Sequence, residues 1–453
     1  MKNIVTKFGG TSLASASQIR KVKDILFESD ERRICIVSAA GKRFIDDEKV
    51  TDLLINAFKE KDNSAVSREI FDRIRIRYKD IVTELGIKFD IDLEMDKIID
   101  EAKSKKTVDY LASRGEYLSA KIISEFLQGC FLDTKDLIIF NKDRKVNYDL
   151  SYANLKKSID DIINEVDTNN KSTINKKIII PGFYGSTIEG DIVTFSRGGS
   201  DITGSLVARA VNADIYENWT DVSGVMFADP RIVDNAKITH YITYTELREL
   251  SYMGASVLHE EAVYPVSSVG IPINILNTND KDAKGTMIVS RVPSIVKRRI
   301  VTGIAGRKGF TAILLQKALM NEEIGFMAKL LKIFERENIP VEHCPTGIDT
   351  ISVMIKTELI EGKRDIIYKS IKEELSPDVL NIEDNISMIA IVGEGMVYHK
   401  RIIMEIFKAL YDANVGVRMI DQGSSGINVI IGVSDSDYKK AILALSTLQD
   451  VEG

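Results

Sequence analysis

Through the first part of the chain, short runs of apolar residues alternate with longer stretches whose apolar positions recur every three or four residues. The short runs are Ile4 to Phe8, Ile34 to Val37, Leu137 to Phe140, Ile178 to Ile180 and Ile192 to Phe195. Most of them show little polar alternation, which predicts strands buried on both faces, as a parallel sheet requires. Between them, Ile19, Val22, Ile25 and Leu26 predict one helix. Leu53, Leu54 and Ala57 predict a second, with Thr51 as its candidate N-cap. The charged stretch from about 65 to 105 carries Ile70, Phe71, Ile74, Ile81 and Leu85 on one helical stripe. Leu111, Leu118, Ile122 and Phe126 mark a longer helix that Gly129 would stop. No proline precedes Pro181, so long helices are permitted there, and the polar run from Thr168 to Thr173 reads as a surface loop. Alternating strands and helices predict an α/β fold: an open, largely parallel sheet sandwiched by helices.

The pattern changes near Lys297-Arg298-Arg299, and an internal repeat follows. Lys332-Ile333, Ile339-Pro340-Val341 and Ile351-Ser352-Val353 recur, with substitutions, as Lys408-Ala409, Val415-Gly416-Val417 and Ile427-Asn428-Val429, each pair 76 residues apart. Each copy reads strand, amphipathic helix, strand, strand, helix, with a closing strand to complete a ferredoxin-like βαββαβ unit. The expected organisation is one α/β domain over 1–297 and two small domains over 298–380 and 381–453.

Composition narrows the class without choosing a function. In 453 residues, 44% are hydrophobic and 28% charged, which argues for a folded globular protein. A net charge of −6 lacks the field of a nucleic-acid binder, so no nucleic-acid partner is expected. Cys35, Cys130 and Cys344 share no CxxC, and His240, His259, His343 and His399 are as scattered, so neither a disulfide framework nor a protein-held metal site is expected. No apolar run approaches the ~18 residues of a membrane span, and the N-terminus enters a strand directly. No membrane association and a cytoplasmic location are the expectation.

Candidate chemistry sits at two glycine turns. Neither GxxxxGK[ST] nor a complete GxGxxG occurs. In Lys7-Phe8-Gly9-Gly10-Thr11-Ser12, paired glycines between a strand and a helix would let backbone N–H groups approach an anion, with the Lys7 ammonium above it. A tight turn beside a surface lysine would read the same way. In Ser196-Arg197-Gly198-Gly199-Ser200-Asp201, Arg197 offers a planar fork for a carboxylate, while Ser200 or Asp201 would serve equally as an N-cap. The carboxyl ends of strands in open α/β sheets are where ligands bind.

Together these residues resemble the aspartokinases, within the amino-acid kinase fold, and the similarity runs the whole chain. Lys7 to Ser12 is similar to the family's opening signature, Ser113-Arg114-Gly115-Glu116 to its helix motif and Arg197 to Asp201 to its Arg-Gly-Gly-Ser-Asp loop. Trp219 to Gly224 and Ala228 to Arg231 resemble its nucleotide segment, and Tyr252 to Ala255 with Val257 to His259 a downstream block. Val392 to Met396 and Gln422 to Ser425 are similar to signatures of its two ACT regulatory domains.

The resemblance implies phosphorylation of the side-chain carboxylate of L-aspartate by ATP with Mg²⁺. It implies a substrate lobe with a helical insertion at about 65–130 and a nucleotide lobe at about 178–297. Lys7, oriented by Asp201, would stabilise the transferring phosphoryl group, with N–H donors from Gly9 and Gly10. Arg197 would clamp the substrate carboxylate and Glu116 its α-ammonium, with Ser38, Thr51 and Ser200 completing the pocket. Thr220, Asp221, Asp229, Arg231 and Lys281 would contact ATP. Trp219 reads as core rather than as an adenine stack. The ACT pair implies an end-product effector and a homodimer or larger assembly through these domains. Met320, Gly325, Phe326, Val341 and Glu342 line up with the effector pocket of lysine-sensitive relatives, favouring L-lysine over threonine. Three positions depart from the pattern. Asn279 stands where some relatives carry a phosphate-binding lysine, Met226 where some carry a tyrosine, and the extra segment Lys42 to Val50 reads as a solvated loop. A related kinase with another acceptor and a catalytically silent amino-acid sensor are the alternatives.

Overall fold

The computed structural model describes residues 2–60, 64–105, 107–169, 176–196, 198–255, 258 and 260–451. The chain forms two compact units, one of residues 1–225, 240–244 and 257–292, the other of 226–239, 245–256 and 293–453.

The first unit is built on an eight-stranded sheet. Its order is 241–243, 286–289, 273–277, 215–220, then β1 (Ile4–Phe8), β2 (Ile34–Val37), 178–181 and 130–131. Every pairing is parallel except that of 286–289 with 273–277. All five residues of β1 and all four of β2 are buried, as strands covered on both faces are; β2 is apolar throughout and β1 is apolar except at Thr6 and Lys7. The strands 139–140, 184–187 and 192–194 form a separate three-stranded sheet. The turn before Ser200 therefore does not follow a strand of the main sheet, and the end-of-strand argument holds for Lys7 alone.

Helix α1 (Ala16–Phe27) follows β1, and α2 (Val50–Lys59) follows β2. The charged stretch then divides at Gly86, whose φ of 71° only glycine adopts freely, into α3 (Ser64–Leu85) and α4 (Ile91–Lys105). Helix α5 (Val108–Leu127) begins at Thr107, whose hydroxyl caps the Tyr110 N–H, and ends at Gln128 in the left-handed region. Thr51 lies inside the first turn of α2, whose N-cap is Lys49, so the expected capping role is not observed. The run from Thr168 splits: α-helix continues to Asn169, and 170–175 lie outside the described residues.

The second unit carries one five-stranded sheet, in the order 350–356, 303–316, 379–392, 428–434, 417–421. The two repeats share it, because strands 303–316 and 379–392 each serve both. Phe310 to Gln316 pair with 350–356, and Ala312 to Gln316 also with Val379 to Glu383; Gly303 to Arg307 pair with Met388 to Val392. Ile313, Leu315, Phe326, Leu330, Ile367 and Ile371 share one core. Ile300, Ile304, Ile389, Ile406 and Ile442 belong to another. The expected cut at 380 is thus replaced by a nested arrangement: the stretch 310–383 is inserted into a unit whose closing strand, 303–307, comes before it. The 76-residue repeat survives in the helices, which begin at Phe326 and Ile402.

Candidate active site

The site grows from sheet register. Lys7 of β1 pairs with Asn218 of strand 215–220. Its Nζ lies 2.6 Å from Asp201 Oδ1 and 3.3 Å from Asn218 Oδ1. Asn218 Nδ2 in turn donates to Asp201 Oδ1 at 2.9 Å. These three polar groups close a triangle in which the ammonium is buried and its counter-charge doubly held. Asp201 stands in the first turn of helix 199–210, whose N-cap is Gly198 at φ 60° with no side-chain cap. Neither Ser200 nor Asp201 caps that helix, and the Asp201 carboxylate is turned to Lys7. Asn218 was not singled out from sequence; its signal is an amide in an otherwise mostly buried strand, in register with the lysine.

The glycine turn lies beside this triangle. The Gly9 N–H donates to the Trp219 carbonyl at 2.9 Å, so one of the two expected anion donors is already engaged and Gly10 is the remaining glycine. A Cβ at Gly10 would sit 3.0 Å from the Ala39 carbonyl oxygen, and one at Gly41 would lie 2.6 Å from the Thr11 nitrogen. The turns after β1 and β2 are therefore in close backbone contact, with the Gly41 N–H donating to the Gly10 carbonyl at 2.8 Å. Trp219 is core: its ring stacks on Phe8 with centroids 6.0 Å apart, and its Nε1 donates to Glu217.

The turn after β2 gathers the other group of residues. The Ser38 N–H donates to the Phe8 carbonyl at 3.2 Å, and the Val50 N–H, one residue before Thr51, to the Ala40 carbonyl. Glu116 of α5 is buried rather than exposed, and its Oε2 has no hydrogen-bond partner. Burial pushes its carboxyl up to about 8, against weaker pulls from backbone hydrogen bonds, that of Ala39 among them, and from Arg114. Helix α5 presents it there because Gly115 packs on the same turn; a Cβ on Gly115 would be 2.7 Å from Ala39 Cβ. The neighbouring Arg114 guanidinium lies 4.7, 4.6 and 5.1 Å from the ring centroids of Tyr110, Tyr117 and Tyr184. Ser200 is buried and abuts Gly182, where a Cβ would come within 2.6 Å of its Oγ. Arg197 lies outside the described residues.

The nucleotide candidates divide. Thr220 ends the strand next to β1 and Asp221 follows it, with Thr220 Oγ1 donating to Asp221 Oδ1 at 3.2 Å. Lys281 is paired with Glu28, at the C-cap of α1. Asn279 Oδ1 accepts from Lys21 Nζ at 2.7 Å and Gln18 Nε2 at 3.0 Å. Asp229 and Arg231 belong to the second unit and pair with each other at 2.7 Å, which holds the Asp229 carboxyl below its ordinary range. Of the effector candidates, Met320 and Phe326 are buried, with Val341 packed against the same core. Gly325 is the N-cap of helix 326–336 at φ 79°. Glu342 accepts from the Tyr252 hydroxyl and lies 3.5 Å from Lys356 Nζ.

A parallel sheet with a buried lysine–aspartate pair beside a glycine turn defines a class, and the comparisons with known proteins agree with it. Residues 2–277 match the model of the amino acid kinase family, and 389–448 match an ACT domain. Aspartokinase 3 of Bacillus subtilis (strain 168) is 36% identical over 459 residues, covering 97% of both chains. The crystal structure of Clostridium acetobutylicum aspartate kinase superposes with a TM-score of 0.86 at 45% identity, over 99% of this chain and 100% of that one. Lysine-sensitive aspartokinase 3 of Escherichia coli (strain K12) is 27% identical, with 98% of each chain covered. The chain belongs to the aspartokinases.

Proposed function

We propose that this protein transfers the γ-phosphoryl group of ATP to the side-chain carboxylate of L-aspartate, giving 4-phospho-L-aspartate. The observation that carries the reading is the buried Lys7–Asp201–Asn218 triangle beside the Gly9-Gly10 turn. The attacking group is already a carboxylate at pH 7, so no general base is required. What the reaction needs is alignment of two anions and neutralisation of charge on the moving phosphoryl group. Lys7, held by Asp201 and Asn218, would supply that cation and the Gly10 N–H a further donor. Glu116 would take the α-ammonium and Arg197 a carboxylate, with Ser38, Thr51 and Ser200 around them. Thr220, Asp221, Asp229, Arg231 and Lys281 are the proposed ATP contacts, and magnesium would enter on the nucleotide's phosphates as part of the substrate.

A hydroxylamine trap tests this directly: purified protein with ATP and magnesium should give hydroxamate with aspartate and not with glutamate or without amino acid. Absence of aspartyl hydroxamate overturns the reading. We further propose L-lysine as inhibitor at the ACT domains, with Glu342 taking its side-chain amine, in a cytoplasmic enzyme assembled through those domains as a dimer or larger oligomer. Glu342 is the acid of that pocket candidate, and exposed Tyr398 and Tyr411 give the unit apolar surface for assembly. An inhibitor must bind the inactive arrangement more tightly. Millimolar lysine should lower the rate in wild type, and Glu342→Ala should weaken this. Gly325→Asp is a poorer probe, because φ 79° strains any side chain there even without ligand. No inhibition by lysine sinks the effector assignment alone.

A further inference from the structure

The segment Lys42 to Val50 is tied to its surroundings at several points. Asp47 is buried and receives the Arg43 N–H at 2.9 Å and the Arg43 guanidinium at 2.8 and 3.0 Å. Arg77, on α3, is also buried, with a nitrogen 3.4 Å from Asp47 Oδ2. The same guanidinium donates through Nη1 to the Glu48 carbonyl at 2.7 Å and through Nη2 to the Gly41 carbonyl. Gly41 is the residue whose N–H bonds Gly10, so one side chain spans the loop, the turn after β2 and, through it, the glycine turn after β1. Hydrogen bonds from Arg43 and the nearby charge of Arg77 hold the Asp47 carboxyl well below its ordinary range, so this clamp stays charged at neutral pH.

A planar guanidinium fork that reaches two carbonyls and one carboxylate fixes orientation as well as charge, which an ammonium of the same charge cannot do. Removing a buried cation from water is costly unless its partners are in place. Here those partners are two backbone carbonyls and the loop's only buried carboxylate, and one carbonyl borders the candidate phosphate turn.

We infer that Arg77 is a positioning residue, acting through Gly41 to hold the Gly9-Gly10 turn in the geometry that receives the terminal phosphates of the nucleotide. The inference rests on the phosphate reading of that turn and is independent of the acceptor. Its test compares two nucleotides on the full-length protein. With Arg77→Met, affinity for ATP should fall about tenfold while affinity for AMP, which lacks the terminal phosphates, stays within about twofold. The turnover number should fall about tenfold or more, and Arg77→Lys should recover only part of either loss. Equal losses for ATP and AMP would show a merely structural role and overturn the inference, as would unchanged ATP affinity. If Arg77→Met does not fold, Asp47→Asn, which keeps the shape and removes the counter-charge, is read by the same ratio. Wild type that binds ATP without making aspartyl hydroxamate loses the aspartate assignment and leaves this ratio readable. Wild type that binds no ATP overturns both.

Discussion

Two ionisable side chains of the first unit are buried to nearly the same degree, Lys7 at 7% and Glu116 at 5% exposure, and the protein treats them in opposite ways. Lys7 has its counter-ion at 2.6 Å and an amide at 3.3 Å, and that amide also holds the counter-ion. Glu116 has an oxygen with no partner and a carboxyl raised to about 8. A buried charge is tolerated when it is paired and hydrogen-bonded; left alone it gives up its charge. On the proposed reading, the lysine would meet charge that develops during reaction without reorganising. On the same reading, the glutamate would take its charge only when a cation is brought to it.

Removing the paired cation should break the comparison most severely. Lys7→Ala is expected to lower kcat about 10³-fold, a magnitude typical of deleting a cation or donor at a transferring group, with ATP still bound measurably. Hydroxamate formed per enzyme under saturating substrates checks it, and a loss below tenfold would remove Lys7 from the chemistry. Asp201→Asn keeps the hydrogen-bonding outline and removes only the orienting charge, so its loss should be smaller, about 10²-fold in kcat. Glu116 should respond differently. Glu116→Gln is expected to raise KM for aspartate about tenfold while kcat falls less, since it removes binding rather than transition-state charge. A kcat loss equal to that of Asp201→Asn would mean that the two acids share one role.

Much of this contrast could be read before any coordinates. The buried strand around Lys7 announced itself by an apolar run interrupted by Thr6 and Lys7, and the parallel sheet follows from such runs alternating with helices. The glycine pair marked where a ligand would approach. Glu116 was named only through the resemblance of Ser113 to Glu116; its burial was not legible, because a mid-helix glutamate is ordinarily solvated and α5 is buried on nearly every side only after its neighbours pack around it. Asn218 was missed because its importance lies in strand register with Lys7, a long-range fact. The nested regulatory unit was missed for the same reason. A repeat period counts residues along the chain and does not say which strand closes which sheet. Arg77, distant in sequence from both Gly41 and Asp47, offered no local signal at all.

The smallest expected effect is the most specific to Glu116. A carboxyl at about 8 in the folded protein against an ordinary 4.5 means the native state holds a proton that the unfolded chain has released between those values. The corresponding stability is fully present below the ordinary pKa, declines as pH rises through that interval and is lost once pH passes the folded value. The melting temperature of wild type should therefore fall more steeply between about pH 6 and pH 8 than that of Glu116→Gln, which is neutral throughout. Aspartate binding adds a second reading of the same group. An ammonium seated on Glu116 requires the ionised form, so binding at pH 7 should expel up to about one proton, and binding near pH 9 almost none. Calorimetry in buffers of different ionisation enthalpy measures that release. Proton release that persists unchanged in Glu116→Gln would assign the effect to another group and leave Glu116 a buried acid with no ligand to meet.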